Sequence, residues 1–327
     1  MAGTNRAASG ATLGATAGAA AAPGVAVAAS SPAGSIYDLG YRHYTGKRNG
    51  RLYAMWSLFA ESFRGVWGFG RPLTAKAAPF ILAGLYALPA VVQLAFASVF
   101  AQQISAGEDV SLLAYNSYFG SMFVMVFFFC VAQAPELVCR DQRYQVLPLY
   151  FTRSMGKADY ALAKLASLAV ALFVVLGVPV VALFVGGILM KPDTVAAIGE
   201  EWPKALPALP ANALIAVSLA SLSLAISSFS PRRAYSAIGI VAYILLMEAI
   251  PAAIYSVGQT SGSWLDKIFL VAPISTLDGA SRWFFGQPLD PQHFSGSLTS
   301  DAYLLAALAS VVVATAVLVF RYRRISA

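Results

Sequence analysis

The stretch LASLAVALFVVLGVPVVALFVGGILM, residues 165–190, carries no charged side chain and exceeds the roughly 20 residues that a helix needs to cross a bilayer. Five other stretches are similarly apolar, although the one at residues 234–273 contains Glu248, Asp266 and Lys267. Apolar residues make up 58% of the chain, which is more than a soluble domain typically contains. We therefore predict an all-α polytopic membrane protein with six transmembrane helices, at residues 79–101, 117–135, 162–189, 206–229, 234–256 and 302–320.

Lysine and arginine are distributed unequally between the connections that join these spans. Of the 22 basic residues, 18 precede the first span, follow the last, or lie in the connections after the second and fourth spans. Because cytoplasmic connections carry the excess of Lys and Arg, we predict that both termini lie in the cytoplasm, in a multi-pass protein of the cytoplasmic (inner) cell membrane. Attraction to anionic headgroups of the lipid bilayer then explains the net charge of +7, and no nucleic-acid partner is expected.

Composition divides the chain into three regions. Residues 1–35 form an Ala/Gly/Ser tract that we predict to be a disordered tail. A signal peptide is the less favoured alternative, because alanine is weakly apolar and Pro23 interrupts the best apolar run. Residues 36–77 are predicted to form a cytoplasmic loop and a helix that lead into the first span, and residues 78–324 the six-span domain.

Apolar and aromatic residues recur at three- and four-residue spacing between Arg51 and Trp67. This run is too short and too charged to span a membrane, so we predict an amphipathic helix that lies in the cytoplasmic headgroup region. Packing of this helix on a soluble domain is the alternative, and the sequence offers no second soluble domain for it. The candidate residues for contact with the lipid interface are Arg51, Trp56, Phe59, Phe63 and Arg64.

The connection between the last two spans contains two apolar clusters, Trp264–Leu277 and Ala280–Phe285. Neither cluster is long enough to cross a bilayer, and both contain aromatic residues of the kind found at membrane interfaces. We predict short re-entrant helices that enter the outer leaflet and return.

Sequence motifs for several kinds of chemistry are missing from the chain. It contains no GxxxxGK[ST] phosphate loop, no HExxH motif and no GxSxG motif. With only His43, His293, Cys130 and Cys139 available, we predict no catalytic site, no metal site and no disulfide. We expect no cofactor on this chain, so any ATP hydrolysis must come from a separate protein.

Glu248 is the ionisable residue that lies deepest in a predicted span. A charge in the hydrocarbon core is costly unless it is paired or hydrated, so one hypothesis places Glu248 in a cavity or against another helix as a functional residue. The other hypothesis is that Pro251 ends the helix early and that Glu248 lies near the outer interface, hydrogen-bonded to the outward connection. The sequence leaves both hypotheses open.

The cytoplasmic connection at residues 136–164 is longer than a simple helix-to-helix turn requires. It combines charged residues with a helix-compatible apolar stretch, Val146–Phe151. A solvated loop that only sets topology would explain the charges but not the apolar side chains, so we interpret it as a docking surface for a partner protein. The candidate docking residues are Arg140, Asp141, Arg143, Leu147, Leu149, Tyr150, Phe151, Arg153 and Lys157.

This connection resembles the cytoplasmic loop of type-2 ATP-binding-cassette (ABC) export permeases. The family pattern is an Arg and an acidic residue, a leucine-rich stretch, a turn, and a small residue before the Lys that leads into the third span. Its matches here, in order, are Arg140-Asp141, Leu147–Phe151, Ser154–Lys157 and Ala163-Lys164. Gln145, Ser154 and Ala163 stand where the family frequently has glycine, proline and glycine. The segments Ile36–Arg48 and Ala272–Gly286 also resemble parts of that family.

The resemblance implies that this chain is the membrane-spanning permease subunit of an exporter, not itself an enzyme. In that family the loop after the second span docks into a separate ATPase subunit, present in two copies, which uses ATP and Mg²⁺. A second permease half, either an identical chain or a related permease, completes the pathway. The alternatives are an ion-coupled secondary transporter that uses Glu248 and an intramembrane enzyme, for which the sequence shows no nucleophile and base.

Overall fold

A computed structural model describes residues 45–46, 49–70, 72–100, 115, 118–151, 155–258, 264–289 and 298–324. Within these ranges every regular element is helical. In chain order the elements are α1 (Arg51–Val66), α2 (Leu73–Phe100), α3 (Tyr118–Arg143), α4 (Leu147–Phe151), α5 (Lys157–Leu189), α6 (Thr194–Ala205), α7 (Ala208–Ser227), α8 (Arg233–Gly258), a 3-10 helix (Trp264–Val271), α9 (Pro273–Phe284) and α10 (Ser300–Arg324).

In the described ranges, six helical segments are long and apolar enough to cross a membrane, as many as the spans that the sequence predicts. They are Lys76–Val99, Tyr118–Arg143, Lys157–Leu189, Thr194–Ser227, Arg233–Ile254 and Ser300–Arg324. The fourth segment is made of α6 and α7, which a turn at Leu206 and Pro207 separates. The predicted tail at residues 1–35, the stretch Ile36–Tyr44 and the docking residue Arg153 lie outside the described residues.

Two prolines that could delimit helices lie inside them. Pro135 and Pro251 do not end their helices, because α3 continues to Arg143 and α8 to Gly258. A proline removes one backbone hydrogen bond, and neighbouring helices in a membrane protein can re-satisfy the freed carbonyl. Of the two hypotheses for Glu248, the one in which Pro251 ends the helix early is therefore wrong about the helix end, because Glu248 and Pro251 both lie within α8.

Helices α3, α5 and α7 form the centre of the bundle, and α2, α8 and α10 lie outside them. In α5, Leu168, Leu172 and Leu176 follow one another at four-residue spacing, and all three are fully buried. This spacing places their side chains on one face of the helix, which packs against α7 and α10. Many of the facing residues on α7 are Ala and Ser, whose small side chains let helices approach closely.

Helix α6 was not predicted, although its start is legible in the sequence. The Asp193 carboxylate accepts hydrogen bonds from the backbone N–H groups of Val195 and Ala196, at 3.1 and 3.3 Å, as an N-cap aspartate does. At the other end of the helix Glu201 is buried and bonded to Lys191 and Lys204, each at 3.1 Å. Hydrogen bonding to the neighbouring glutamates, chiefly Glu200, raises the pKa of Lys191.

The described part of the connection between α8 and α10 contains two short helical segments, the 3-10 helix and α9, at the positions of the two predicted apolar clusters. Helix α9 packs tightly on α10, because a Cβ atom at Gly279 would lie 2.6 Å from Cγ of Tyr303. The Trp283 indole N–H also donates a hydrogen bond to the Asp301 carboxylate at 2.6 Å. Only glycine at position 279 permits this approach.

Candidate functional site

The described side chains of the predicted docking surface lie at one end of the bundle, which we call the basic end. It is formed by the C-terminal ends of α3, α7 and α10 and the N-terminal ends of α5 and α8. Contacts between distant residues hold these ends together. Gln142 of α3 donates hydrogen bonds to the backbone oxygen of Ser228, at 3.0 Å, and to the Tyr322 hydroxyl of α10, at 3.2 Å. Glu136 of α3 is paired with Arg233 of α8.

Helix α3 ends in a turn that Gln145 makes with a left-handed backbone, at φ 52°. The Gln145 N–H donates to the Gln142 carbonyl, and the Val146 N–H donates to the Asp141 carbonyl, both at 3.2 Å. These are the two hydrogen bonds of the Schellman motif, in which the residue at the left-handed position is usually glycine. Glutamine is sterically strained at this position, whereas glycine adopts a left-handed backbone without strain.

The apolar side chains of α4 divide into an inward and an outward set. Leu147 is buried, and the rings of Tyr150 and Phe151 lie 5.5 and 6.1 Å from the Tyr160 ring of α5. Burial, with a smaller contribution from nearby acidic groups, raises the pKa of Tyr150, so its hydroxyl stays neutral. Leu149, by contrast, is 67% exposed. Leu149 is therefore the α4 side chain best placed to contact a partner.

The charged candidates divide in the same way. The Asp141 carboxylate accepts from Lys164 at 2.9 Å and from the Tyr160 hydroxyl at 2.7 Å, and it lies inside the basic end. Arg140 and Arg143 are exposed, and the Lys157 ammonium lies 5.8 Å from the centre of the Phe151 ring. Asp141 therefore fixes the position of the loop, and the arginines face outward.

Helix α1 runs along α5 and is fastened to its first turn. Arg51 donates two hydrogen bonds to Asp159, at 2.6 and 2.5 Å, and they raise the pKa of Arg51. Asp159 also accepts from the Gly156 N–H at 2.9 Å, which closes the start of α5. At the other end of α1, Val66 is fully buried.

The predicted aromatic stripe of α1 packs on the bundle only in part, because Phe63 lies against the buried core. The buried residues of this helix are Leu58, Ser62 and Val66, whereas Trp56 is 64% exposed and stacks on Phe59 at 5.2 Å. Phe59 in turn stacks on Phe63, and Arg64 is exposed. The aromatic stripe of α1 is therefore exposed around Trp56 and packed on the core at Phe63.

A cleft of about 1070 Å³ opens beside the loop. It lies between the end of α1, the start of α2, the C-terminal half of α3, α4 and the first residue of α8. Its polar wall contains Glu136, Arg140, Asp141 and Arg233, and Leu149 and Tyr150 line its mouth, among other residues. The cleft joins charged and apolar surface at the basic end.

Glu248 is not among the residues that line this cleft, and it contacts the connection between α8 and α10. Its Oε1 atom accepts hydrogen bonds from the backbone N–H groups of Ile274, at 2.5 Å, and Ser275, at 3.3 Å, and Oε2 accepts from the Ser275 hydroxyl at 3.0 Å. Ile274 and Ser275 are in the first turn of α9. The N-cap residue of this helix, Ala272, has no side-chain oxygen that could accept hydrogen bonds from their N–H groups. Glu248 of one helix thus supplies the cap of another.

The pairings Asp141–Lys164 and Glu136–Arg233 were not predicted, although all four residues were visible as charges next to spans. The fixed spacing that would have indicated a pair is absent, because each pair joins different helices. Within the described ranges no three His, Cys, Asp or Glu side chains meet in a way that could hold a metal ion.

Sequence comparison adds one match. A family described as "Protein of unknown function (DUF2705)" matches residues 80–325, a range that contains the loop, the cleft-lining part of α3 and Glu248. No curated protein matches the chain.

Proposed function

We propose that this chain, which belongs to the DUF2705 family, is the membrane-spanning permease subunit of an ATP-driven exporter of the ABC type. In this proposal the basic end faces the cytoplasm, both termini are cytoplasmic, and the protein lies in the cytoplasmic membrane. The unequal distribution of Lys and Arg supports this orientation. A separate ATPase, in two copies, binds ATP and Mg²⁺, and a second permease half completes the pathway.

The observation that carries the proposal is the geometry of α4. This short helix stands between two spans at the basic end, with Leu149 turned outward and Leu147 and Phe151 turned inward. The Schellman turn at Gln145 and the rings around Tyr160 hold it against the bundle. A helix that is packed against the bundle on one side and exposes an apolar side chain on the other is suited to dock into a groove and to transmit force.

Two helices, α4 and α1, could transmit a movement of the docked ATPase to the bundle, and both contact the start of α5. Helix α4 contacts α5 through Tyr160, and α1 contacts it through the bidentate pair of Arg51 with Asp159. Helix α5 then touches α2, α3, α7 and α10, which together make up most of the bundle. Movement of the docked ATPase would therefore reach the whole bundle through one helix. The exposed ring of Trp56 suits α1 to the headgroup region, where tryptophan is enriched.

The alternative of an ion-coupled transporter has less support. Its ion site would have to use Glu248, and both carboxylate oxygens of Glu248 are engaged by the first turn of α9. These hydrogen bonds give Glu248 a structural role, which is to cap α9.

The test compares how much ATPase co-purifies with tagged wild-type chain, Leu149→Ala and Leu189→Ala at equal membrane levels. Leu189 is the matched control, because it is 76% exposed at the opposite end of the bundle. Truncation of a central apolar anchor commonly weakens association by about 2 kcal/mol or more, so Leu149→Ala should lose an ABC ATPase that the other two chains retain. Retention of the ATPase by all three chains, or the absence of an ABC ATPase from all of them, would contradict the proposal.

A further inference from the structure

A small cavity lies near the middle of the bundle, where α7, α8 and α10 meet the 3-10 helix and α9. Ser218, Tyr243 and Ser310 line it, and each of these residues lies near the midpoint of its helix. At 1.5 Å per residue, their positions are at least about 13 Å from either end of the helix. The cavity therefore belongs to the interior of the bundle and not to either of its ends.

The size of this cavity limits what it can bind. Its volume is about 40 Å³. Sites for organic ligands typically enclose about 300 Å³ or more, so this cavity is too small for such a molecule. One buried water needs roughly 10–15 Å³ of such space, which gives room for about two or three waters.

Four of the lining residues carry hydroxyl groups, and one of these groups is unpaired. Ser218 is only 5% exposed, and its Oγ atom is buried without a hydrogen-bond partner among the described residues. The Thr276 hydroxyl donates to the Leu270 carbonyl at 3.0 Å, and the Ser310 hydroxyl donates to the Ala307 carbonyl at 2.7 Å. The oxygen of each hydroxyl can still accept a hydrogen bond. Cavities that stay dry are apolar, and the wall of this one is not.

The backbone changes form beside the same cavity. The 3-10 helix ends at Val271 and α9 begins at Pro273, and both residues line the cavity. Inside a membrane, a break between helices is tolerated where protein buries it or where it adjoins water. Glu248 caps the N–H groups of α9 at this break. The break and the unpaired Ser218 hydroxyl therefore lie at one polar position inside the bundle.

We propose that this cavity is a hydration site, in which about two or three water molecules join Ser218 of α7 to Thr276 of α9 and Ser310 of α10. The Ser218 hydroxyl donates to the water, and the water donates to the other two hydroxyl oxygens. The inner end of α9 is then held to the bundle partly by water-mediated hydrogen bonds. The site needs only the fold, so this inference and the proposed permease function can fail separately.

The test is X-ray footprinting of the purified full-length chain in detergent. X-rays convert bound water into hydroxyl radicals that oxidise the nearest side chains, and mass spectrometry locates the oxidised residues. Leu219 and Leu277 line the cavity and are 2% and 3% exposed, so bulk water scarcely reaches them. We expect both to be oxidised faster than Leu168 and Leu172, which are fully buried on α5 and are not part of the cavity lining. Equal oxidation rates for the four leucines would overturn the proposal, and this comparison requires no variant.

Three variants test the hydroxyl groups. Ser218→Ala removes one hydrogen bond to the water and should slow the oxidation of Leu219 and Leu277 about fivefold. Thr276→Val removes a hydroxyl at nearly constant volume and should also slow it. Ser221→Ala is the matched control, because Ser221 is fully buried on the same helix, donates to the Ser218 carbonyl and does not line the cavity, so it should leave the rates unchanged. Equal slowing by all three variants, or no slowing by the first two, would overturn the proposal.

Discussion

Lys164 and Asp141 form an ion pair at 2.9 Å, with side chains only 9% and 14% exposed, and this pair joins the end of α3 to the start of α5. Breaking a buried pair by removing one partner leaves an uncompensated charge, which costs about 3–5 kcal/mol. The Tyr160 hydroxyl bonds to the same carboxylate, so the pair also orients the ring against which α4 packs.

We therefore expect Lys164→Met to lower the free energy of unfolding by about 3–5 kcal/mol, measured by denaturant titration in micelles. Adding Asp141→Asn should recover most of the loss, because no buried charge remains and the amide oxygen still accepts from Tyr160. Arg143→Met, at an exposed position on α3 two residues after Asp141, is the control and should change stability by less than about 0.5 kcal/mol. A double variant no more stable than Lys164→Met would show that the charge imbalance is not the cause.

The Gln145 turn makes a prediction about strain. Gln145→Gly removes the steric cost of a left-handed backbone at φ 52° and should leave stability unchanged or raise it by up to about 1 kcal/mol. Gln145→Val should lower it by about 1–2 kcal/mol, because a branched Cβ fits this conformation worst. Thermal unfolding of the three chains should rank them glycine, glutamine, valine, and any other position for valine would contradict the assigned backbone.

Spans were predictable from the sequence because their signal is local. A stretch such as residues 165–190 has no charge, and only a helix satisfies its backbone in lipid. Helix ends and ion pairs between distant residues were not predictable, because they depend on tertiary contacts. Pro135 lies inside α3 because neighbouring helices surround it, and the Arg51–Asp159 pair joins residues 108 positions apart. The start of α6 was missed although Asp193 offered a local cap signal.

The split of the docking residues was also beyond sequence reasoning. Asp141 and Arg140 are adjacent and equally charged in magnitude, yet Asp141 faces Lys164 and Arg140 faces outward. Which of the two side chains points into the bundle depends on where Tyr160 and Lys164 of α5 lie. That position follows from packing between α3 and α5, which no local pattern encodes.

Glu248 makes a prediction about α9. In Glu248→Ala the N–H groups of Ile274 and Ser275 lose their acceptor, so their hydrogen exchange should quicken and stability should fall by about 1–2 kcal/mol, as for other lost N-caps. Adding Ala272→Ser places a hydroxyl at the N-cap position of α9 and should restore protection. Unchanged hydrogen exchange at Ile274 and Ser275 in Glu248→Ala would contradict the capping role. If the double variant regained protection of these N–H groups but not transport, Glu248 would have a role in transport, such as ion binding, beyond the cap.

The orientation of the bundle makes a prediction that cysteine labelling can test. Tyr144 at the basic end is 67% exposed and Val195 at the opposite end is 80% exposed, so a cysteine at either position can react. In a chain with Cys130→Ala and Cys139→Ala, a membrane-impermeant maleimide added to intact cells should label Val195→Cys and not Tyr144→Cys. Permeabilised cells are the control, in which both positions should react. Labelling of Tyr144→Cys in intact cells would place α4 outside the cell, where no cytoplasmic ATPase reaches Leu149. The six helices would stand after that result, and the proposed docking would not.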